Sequence, residues 1–349
     1  MLYIQELWRN IVSAHETVMA KIPSKARWGI IALLAVLSFI IFIFCAEWLM
    51  TRMVAMLPLF YVTAVLAVGF KRALYGTAIF LFSCFMLWLR TGPPYDGVLG
   101  GSYVMFAEND GWYHARLIEN LVAHFPQQIT FDPYTYYPYG QSLAFAPFFD
   151  WLIALFIWIA GLGHPSVELT EKMAAYFPAV LGTLTIIPVY FIGRELFSRN
   201  FGLLVAGLLA IAPGEFLFRS ILGFTDHHSM EMLLSTTLML FLILTIKRAR
   251  ETRPTFAQIK NREWASLKKP LIYSLLAGFI LGLYSLSWVG AALFILILFI
   301  YMVVQYITDH LRGEPTDYLC IIGVPLFLLS FIMFSPFYKD ILNAKYVML

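Results

Sequence analysis

Apolar residues fall into ten long segments separated by polar loops, and this alternation predicts the fold. Each segment approaches the ~20 residues that an α-helix needs to cross the hydrocarbon core of a membrane. The pattern therefore predicts an all-α polytopic membrane protein. The segments are 29–49, 54–70, 74–89, 148–163, 174–193, 202–218, 230–246, 271–287, 290–307 and 318–335.

The composition agrees with this fold class. Hydrophobic residues make up 60% of the 349 residues and charged residues only 13%, and the mean hydropathy is +0.77. A soluble chain of this length could not bury so much apolar surface. The net charge of +3 does not suggest a nucleic-acid partner. Cys45, Cys84 and Cys320 lie inside apolar segments, where we expect them to pack as small hydrophobic residues.

Basic residues indicate how the chain crosses the membrane. Lys21, Lys25 and Arg27 lie just before the first apolar segment, and Lys71 with Arg72 separates the second segment from the third. The positive-inside rule places these residues, and with them the N-terminus, in the cytoplasm. The third segment then leads outward, so the long loop 91–147 is expected to be external.

Counting crossings predicts a second external loop. The short basic loop 194–199 should be cytoplasmic, yet two apolar segments separate it from the external loop 91–147. One of these two segments cannot cross. The shorter one, 148–163, is predicted to lie in or dip into the external interface. Residues 219–229 then emerge on the same face as the first external loop.

The first external loop is too long to be a simple connector, and ordered loops of this length tend to be functional. It carries five acidic residues and one arginine, Arg116. The stretch from Glu108 to His124 is predicted to form a helix with Leu117 and Leu121 on one face.

Two short motifs place carboxylates beside imidazoles at the ends of apolar segments. Ionisable groups at a membrane boundary are costly and usually functional. The motifs are Glu108-Asn109-Asp110-Gly111-Trp112-Tyr113-His114 and Gly223-Phe224-Thr225-Asp226-His227-His228.

These motifs could hold a metal ion. Asp226 and His228 lie two positions apart, so outside a regular helix their side chains can converge on one cation, and Asp110 from the same face would add a second carboxylate. This mixture of oxygen and nitrogen ligands suits Mn²⁺ or Mg²⁺ better than a structural zinc site. The alternative is that Asp226 caps the N-terminus of a helix expected from about residue 230.

Two charged residues near the second motif allow two interpretations each. Arg219 is either a snorkelling anchor or a group that binds phosphate or carboxylate, for which its planar fork is suited. Glu231 either supports a metal ligand or simply belongs to the first turn of a helix, and the helix is the simpler interpretation.

The motifs resemble those of oligosaccharyltransferase catalytic subunits in their archaeal form. The resemblance covers about residues 74–335. The stretch from Glu108 to Arg116, then Phe131-Asp132-Pro133 and Tyr137-Pro138-Tyr139-Gly140, is similar to the family's first external loop. Arg219-Ser220 and the stretch from Gly223 to His228 are similar to its second external loop, and Leu283-Tyr284 with Ser287-Trp288-Val289-Gly290-Ala291 also fits.

The resemblance implies a GT-C membrane fold over residues 74–349. It also implies transfer of an oligosaccharide from a lipid-linked (dolichyl) phosphate donor to an asparagine in an N-x-S/T sequon of an acceptor protein. By the same resemblance, Asp110, Asp226 and His228 would hold Mn²⁺ or Mg²⁺, with the two aspartates catalytic. The site would face the outside of the cell membrane, where a lipid-bound phosphate can reach it.

Three further residues are expected to bind substrate. Arg219 is similar to a family position near the acceptor peptide. Glu108 and His227 complete this set. A carboxylate near the acceptor could orient the amide nitrogen, which is otherwise a poor nucleophile.

This chain also departs from the family pattern. Two extra crossings, within an N-terminal segment 1–73, precede the helix with which the family usually begins. The sequence stops after the family's seventh helix, before a later external loop, the remaining helices and a soluble domain with a Trp-Trp-Asp-Tyr-Gly motif. We therefore expect a fragment or a truncated product that does not transfer glycans alone.

Two other functions are alternatives for a membrane protein with acidic loops of this kind. Another GT-C enzyme, such as a protein O-mannosyltransferase or a lipid-sugar mannosyltransferase, would share an acidic first loop, but the Asp226-His227-His228 motif argues against it. A cation-coupled transporter would place its ionisable groups near the bilayer midplane. Carboxylates at the outer face favour the enzyme, and burial at the midplane favours the transporter.

Overall fold

The structure is a computed structural model that describes residues 69–143 and 146–337, together with scattered positions before residue 64. The predicted segments 29–49 and 54–70 fall almost entirely outside the described residues.

Helices account for nearly all of the described part. In chain order they are α1 (Phe70–Thr91), α2 (Tyr95–Leu99), α3 (Glu108–Ala123), α4 (Phe148–Ala160), α5 (Val167–Leu184), α6 (Ile186–Leu196), α7 (Arg199–Ile211), α8 (Glu215–Phe218), α9 (His228–Thr252), α10 (Phe256–Lys260), α11 (Trp264–Ser287), α12 (Ala291–Leu311) and α13 (Asp317–Phe334), with a 3₁₀ turn at Ser335–Phe337. A small antiparallel hairpin, β1 (Phe131–Asp132) and β2 (Gln141–Ser142), lies in the long loop after α3.

Within the described residues, six helical spans are long and apolar enough to cross a membrane. Each coincides with one predicted apolar segment, which confirms six of the ten. On α12, a row of large apolar side chains is exposed, including Leu293, Ile300 and Ile307. A lipid bilayer would cover such a surface. The spans are Ala73–Thr91, Val167–Leu196, His228–Thr252, Trp264–Ser287, Ala291–Leu311 and Asp317–Phe337.

Helices α4 and α7 are shorter, with 13 residues each. At 1.5 Å per residue each rises only about 20 Å, less than the ~30 Å of a hydrocarbon core. The length of α4 agrees with the prediction that 148–163 does not cross. The segment 202–218 was predicted as a single crossing, and here the structure differs. Pro213 and Gly214 (φ +107°) divide it into α7 and the one-turn helix α8.

Helices α5 and α6 form one 30-residue span, Val167–Leu196, with a joint at Thr185. Pro188 causes this joint, because it has no N–H to donate to the carbonyl of Leu184. The other end of the span turns sharply into α7. A Cβ on Gly202 would lie 2.5 Å from the carbonyl oxygen of Tyr190, and a Cβ on Gly193 would lie 2.8 Å from Cα of Gly202. The two backbones thus meet at two glycines, which have no side chains to separate them.

The main core forms where α11 packs between α9 and α13. Leu238, Leu281, Ile322 and Leu326 are fully buried there. Gly278 lets the backbones approach, since a Cβ on it would lie 2.5 Å from the carbonyl oxygen of Leu326. Small residues at such crossings are typical of helices in membranes, where close van der Waals packing drives association.

The two predicted external loops meet at one end of this bundle. The N–H of Ala107, just before α3, donates to the carbonyl of Gly223 over 2.9 Å. Leu222 donates to Arg90 at the end of α1, and Gly223 donates to Ala175 in α5, each over 2.9 Å. These bonds hold residues 222–223 against three different parts of the fold, and so fix the position of the second motif.

We expect Gly278→Ala to lower the melting temperature by several degrees. The new methyl group would overlap backbone atoms of α13, and overpacking of this kind costs about 1–3 kcal/mol. Gly323→Ala is the matched control on α13, because a Cβ there meets no atom of the described residues within 4 Å. Thermal unfolding of the detergent-purified protein, followed by tryptophan fluorescence, measures both. Equal melting temperatures for the two variants would contradict the packing described.

Candidate functional site

Asp226 is the centre of the site and lies in the tight turn just before α9. Asp226 is only 2% exposed to solvent. The residue that precedes the helix is His227, whose side chain makes no capping hydrogen bond. The N-cap interpretation of Asp226 is therefore wrong, because the carboxylate faces a cluster of imidazoles instead of the free N–H groups of α9.

Three histidines surround the Asp226 carboxylate. The backbone N–H of His227 donates to Oδ1 over 2.6 Å, and Nδ1 of the same residue lies 2.6 Å from that oxygen. Nε2 of His114 lies 3.4 Å from Oδ1. On the other oxygen, Nε2 of His228 lies 3.2 Å from Oδ2. One carboxylate oxygen thus serves His114 and His227, and the other faces His228.

The His228 ring is held from its far side by Glu231. Nδ1 of His228 lies 3.2 Å from Oε2 of Glu231, and the hydroxyl of Tyr284 donates to Oε1 of Glu231 over 3.4 Å. Metal-ligating histidines commonly donate their second ring N–H to a carboxylate in this way. Glu231 lies in the first turn of α9, and it also supports His228.

Trp288 closes the site from the turn between α11 and α12. Its ring stacks on His227 with centroids 6.1 Å apart and on Tyr284 with centroids 6.2 Å apart. The turn is tight, since α11 ends at Ser287 and α12 begins at Ala291. This turn supplies an aromatic wall to the imidazole cluster.

A buried ion pair lies on the side of the His114 ring that faces away from Asp226. Nδ1 of His114 lies 2.7 Å from Oδ1 of Asp150, and the two residues are 1% and 0% exposed. Asp150 belongs to the first turn of α4, three residues into an otherwise apolar helix. Its Oδ2 has no hydrogen-bond partner among the described residues.

The structure places Asp110 at the edge of the site. It is exposed in the first turn of α3, one helical turn before His114 and therefore on the same side of the helix. A Cβ on Gly111 would lie 3.5 Å from the carbonyl oxygen of Gly223, so this turn of α3 runs alongside the second motif. Glu108 opens the helix, also exposed, with φ +55°.

Arg219 lies at the rim, after α8. Its Nε donates to Oε2 of Glu215 over 2.7 Å, and its side chain is 40% exposed. The pKa of Arg219 is raised, first by this hydrogen bond and further by the charges of Glu108 and Asp226. The guanidinium is thus close enough to both motifs to be affected by their charges.

The donor atoms suit a divalent cation. Two sets of three described side chains bring their ligand atoms within 4.8 Å of one another, namely His114, Asp226 and His227, and His227, His228 and Glu231. Nε2 of His227 is buried without a hydrogen-bond partner among the described residues, as a ligand atom would be. Asp110 belongs to neither set, so of the three predicted ligands only Asp226 and His228 are in direct contact.

Sequence patterns alone indicate no role for His114, Asp150, Tyr284 or Trp288. A signal was present for two of them. His114 follows Asp110 by four residues, which puts both on one face of the predicted helix. Asp150 is the only charged residue in the apolar segment 148–163, and a lone carboxylate there requires a partner.

The electrostatics of the cluster follow from burial and from short contacts between opposite charges. Burial disfavours a charged imidazole, but Asp150 and then Asp226 outweigh it and raise the pKa of His114 from 6.5 to about 10. Burial alone would raise the pKa of Asp226, but its contacts with His114 and His227, and the charge of His228, hold that pKa well below its usual value. His114 is therefore cationic at neutral pH, between two carboxylates.

Known proteins are similar to this chain in sequence. Residues 101–348 match the family described as Oligosaccharyl transferase STT3, N-terminal. A Haloferax volcanii protein, dolichyl-monophosphooligosaccharide–protein glycotransferase AglB, is 34% identical over 253 residues, which are 72% of this chain and 24% of that protein. The chain thus spans about a quarter of the length of this relative.

Solved structures agree with the sequence comparison. Archaeal oligosaccharyltransferase AglB from Archaeoglobus fulgidus, in complex with an inhibitory peptide and a dolichol-phosphate, is similar with a TM-score of 0.67 at 32% identity, covering 77% of this chain and 30% of that one. A crystal structure of the Archaeoglobus fulgidus oligosaccharyltransferase with Zn and sulfate is similar with a TM-score of 0.62 at 32% identity, covering 74% and 31%.

The raised pKa of His114 predicts a pH dependence of stability. A raised pKa contributes stability that is fully present below the unfolded value of about 6.5 and is lost as the pH rises through about 10. We expect the melting temperature of the EDTA-treated protein to fall by roughly 5 °C between neutral pH and about pH 10. Asp150→Asn removes the main cause of the shift and should flatten this dependence. An equally steep fall in both proteins would contradict the assignment.

Proposed function

This chain belongs to the oligosaccharyl transferase STT3 family, and we propose that it forms the part of an oligosaccharyltransferase that holds the phosphate end of a lipid-linked oligosaccharide. The observation that carries this proposal is the cluster of Asp226, His227 and His228 at one end of the helix bundle, against the first turns of α3. In the reaction, the C–O bond between sugar and phosphate breaks, and a C–N bond to an asparagine side chain forms.

The fold suits a lipid-bound substrate. The chain is a multi-pass membrane protein of the GT-C type, and the part of it that the structure describes is all-α apart from one small hairpin. Asp226 lies two residues before the first residue of the 25-residue helix α9, so the cluster lies at the end of a membrane-spanning helix and not at its middle. A lipid phosphate resides at this depth, since its hydrocarbon tail stays in the bilayer.

Asp226 and His228 would hold a divalent cation, with Asp110 reaching it from the adjacent turn of α3. The fit rests on the donor set, which combines carboxylate and imidazole atoms already in contact, and Mn²⁺ or Mg²⁺ accept such ligands. When bound, the cation would offset the negative charge that develops on the departing phosphate. Glu231 would keep Nδ1 of His228 protonated and so leave Nε2 as the ligand atom.

Arg219, Glu108 and His227 would bind the substrates around this centre. Arg219 pairs with the exposed Glu215. If a phosphate or carboxylate of the substrate replaced Glu215, the planar guanidinium of Arg219 could bind it through two parallel hydrogen bonds. Glu108 is exposed at the start of α3, where it could accept a hydrogen bond from the acceptor amide. The acceptor proposed is an asparagine in an N-x-S/T sequon. A crystal structure of the Archaeoglobus fulgidus oligosaccharyltransferase tethered with an acceptor peptide containing the NVT sequon supports a peptide acceptor.

Loop charge supports an orientation with both motifs outside the cell and the N-terminus in the cytoplasm. Helix α9 begins at the cluster and ends in the basic stretch Lys247 to Arg253. The positive-inside rule places that end in the cytoplasm. The site then opens to the external face, where acceptor proteins arrive.

The location of the carboxylates also separates this function from the rival transporter. Coupling groups in transporters lie near the bilayer midplane on interrupted helices. Asp110 is exposed and Asp226 precedes an uninterrupted helix, as the enzyme requires. Another GT-C glycosyltransferase would bind its lipid-linked donor at the same site but would transfer the sugar to a different acceptor. The identity of the acceptor therefore distinguishes that activity from the one proposed.

We expect Asp226→Asn to weaken binding of the donor by about tenfold or more, because the amide loses the charge that holds the cation. The assay uses the purified chain in lipid nanodiscs with Mn²⁺ and a radiolabelled dolichyl-phosphate-linked oligosaccharide. Glu168→Gln, in an exposed ion pair with Lys172, is the control and should bind like the unaltered protein. Equal donor binding by the Asp226→Asn protein, or no saturable binding by the unaltered chain, would contradict the proposal.

A further inference from the structure

Three buried ionisable side chains contact one another in a row that ends at the carboxylate of Asp226. Asp150, His114 and Asp226 are 0%, 1% and 2% exposed, and the His114 ring reaches both carboxylates. Its Nδ1 lies 2.7 Å from Asp150 and its Nε2 lies 3.4 Å from Asp226. Groups of this kind are rarely buried together unless they are paired, and here the pairing joins three separate elements, α4, α3 and the turn before α9.

Packing alone does not account for this arrangement. Replacing a buried ion pair by apolar residues of similar volume is often neutral or stabilising, and the surroundings would accept such residues. Phe149 lies edge-on to the His114 ring with centroids 5.1 Å apart, and Ile153 and Ile118 are buried in the same core cluster. A histidine that reaches two carboxylates here therefore requires another explanation.

The geometry at Asp226 supplies one. Oδ1 is occupied by the backbone N–H and Nδ1 of His227 and by the approach of His114. Oδ2 is left to face Nε2 of His228 at 3.2 Å. Rotation of the carboxylate would break the contacts on Oδ1, so these contacts determine where Oδ2 points.

The backbone of the turn is fixed independently. Thr225 donates through Oγ1 to the carbonyl of Ala174 over 3.0 Å, and Gly223 donates to Ala175. These bonds hold the chain in place but leave the Asp226 side chain free to rotate. The side chain is oriented by His114 and His227, and His114 in turn is anchored by Asp150.

We propose that His114, anchored by Asp150, is a positioning residue for the metal ligand Asp226. It occupies Oδ1 and keeps Oδ2 directed toward His228, so that the two ligand atoms are arranged before the cation arrives. This inference rests on the proposed function, in that Asp226 and His228 hold a divalent cation. Outer partners of metal ligands typically contribute about 10- to 100-fold to metal affinity.

Two substitutions of His114 separate its two contacts. In glutamine the side-chain NH₂ lies near the place of Nε2, so His114→Gln keeps a donor for Asp226. In asparagine it lies near the place of Nδ1, so His114→Asn keeps a donor for Asp150 only. Mn²⁺ alone is the probe, and its binding to the purified chain in nanodiscs is followed by loss of the free-ion signal in electron paramagnetic resonance. Glu168→Gln serves again as the exposed control.

We expect the unaltered protein to bind Mn²⁺ most tightly, the His114→Gln protein less tightly and the His114→Asn protein least tightly. The His114→Asn protein should bind about 10- to 100-fold more weakly than the unaltered one. Melting temperatures are measured alongside, because a purely structural role would lower them in both variants without separating their affinities. Equal Mn²⁺ affinity of the two folded variants would overturn the inference and leave the proposed function intact. No Mn²⁺ binding by the unaltered chain would overturn both.

A second pair covers the case in which either His114 variant fails to fold. Asp150→Asn keeps the shape and one acceptor oxygen for Nδ1 of His114, whereas Asp150→Leu keeps the volume without an acceptor. The Asn protein should stay within about threefold of the unaltered Mn²⁺ affinity, and the Leu protein should lose about tenfold or more. Equal affinities for this pair would overturn the anchoring role of Asp150.

Discussion

The site depends on one constraint, which is that the carboxylate of Asp226 is removed from water at the end of a membrane-spanning helix. A buried charge is tolerated only with partners of opposite charge and with hydrogen bonds. The fold meets this demand with His114 from α3 and with His227 and His228 from the turn into α9. The position of Asp226 therefore determines which elements must meet at this end of the bundle.

Several features of the fold follow from that requirement. The turn lies close to the segment that leads into α3, since a Cβ on Gly223 (φ +84°) would lie 3.1 Å from the carbonyl oxygen of Met105. Helix α4 is short and carries Asp150 in its first turn, where it pairs with His114. The α11–α12 turn brings Trp288 over His227. The membrane-spanning helices supply a rigid frame, and the boundary segments between them supply the chemistry.

Sequence patterns predicted the helices well where the information lies in consecutive residues of the chain. Apolar length located six spans, and loop charge brought the first and second loops together, as the bond between Ala107 and Gly223 confirms. The break at Pro213 and Gly214 was missed, because hydropathy averages over a local interruption. The pairing of Asp150 with His114 joins residues 36 positions apart, and no local periodicity carries that information.

The central claim is that Asp226 and His228 form a divalent-cation site at the membrane boundary. The most direct test is a structure of the purified protein with Mn²⁺ and dolichyl phosphate, with anomalous scattering recorded at the manganese edge. The account predicts one anomalous peak about 2.0–2.3 Å from Oδ2 of Asp226 and Nε2 of His228, with a phosphate oxygen beside it. A peak bound elsewhere, or a phosphate bound far from these two residues, would contradict it.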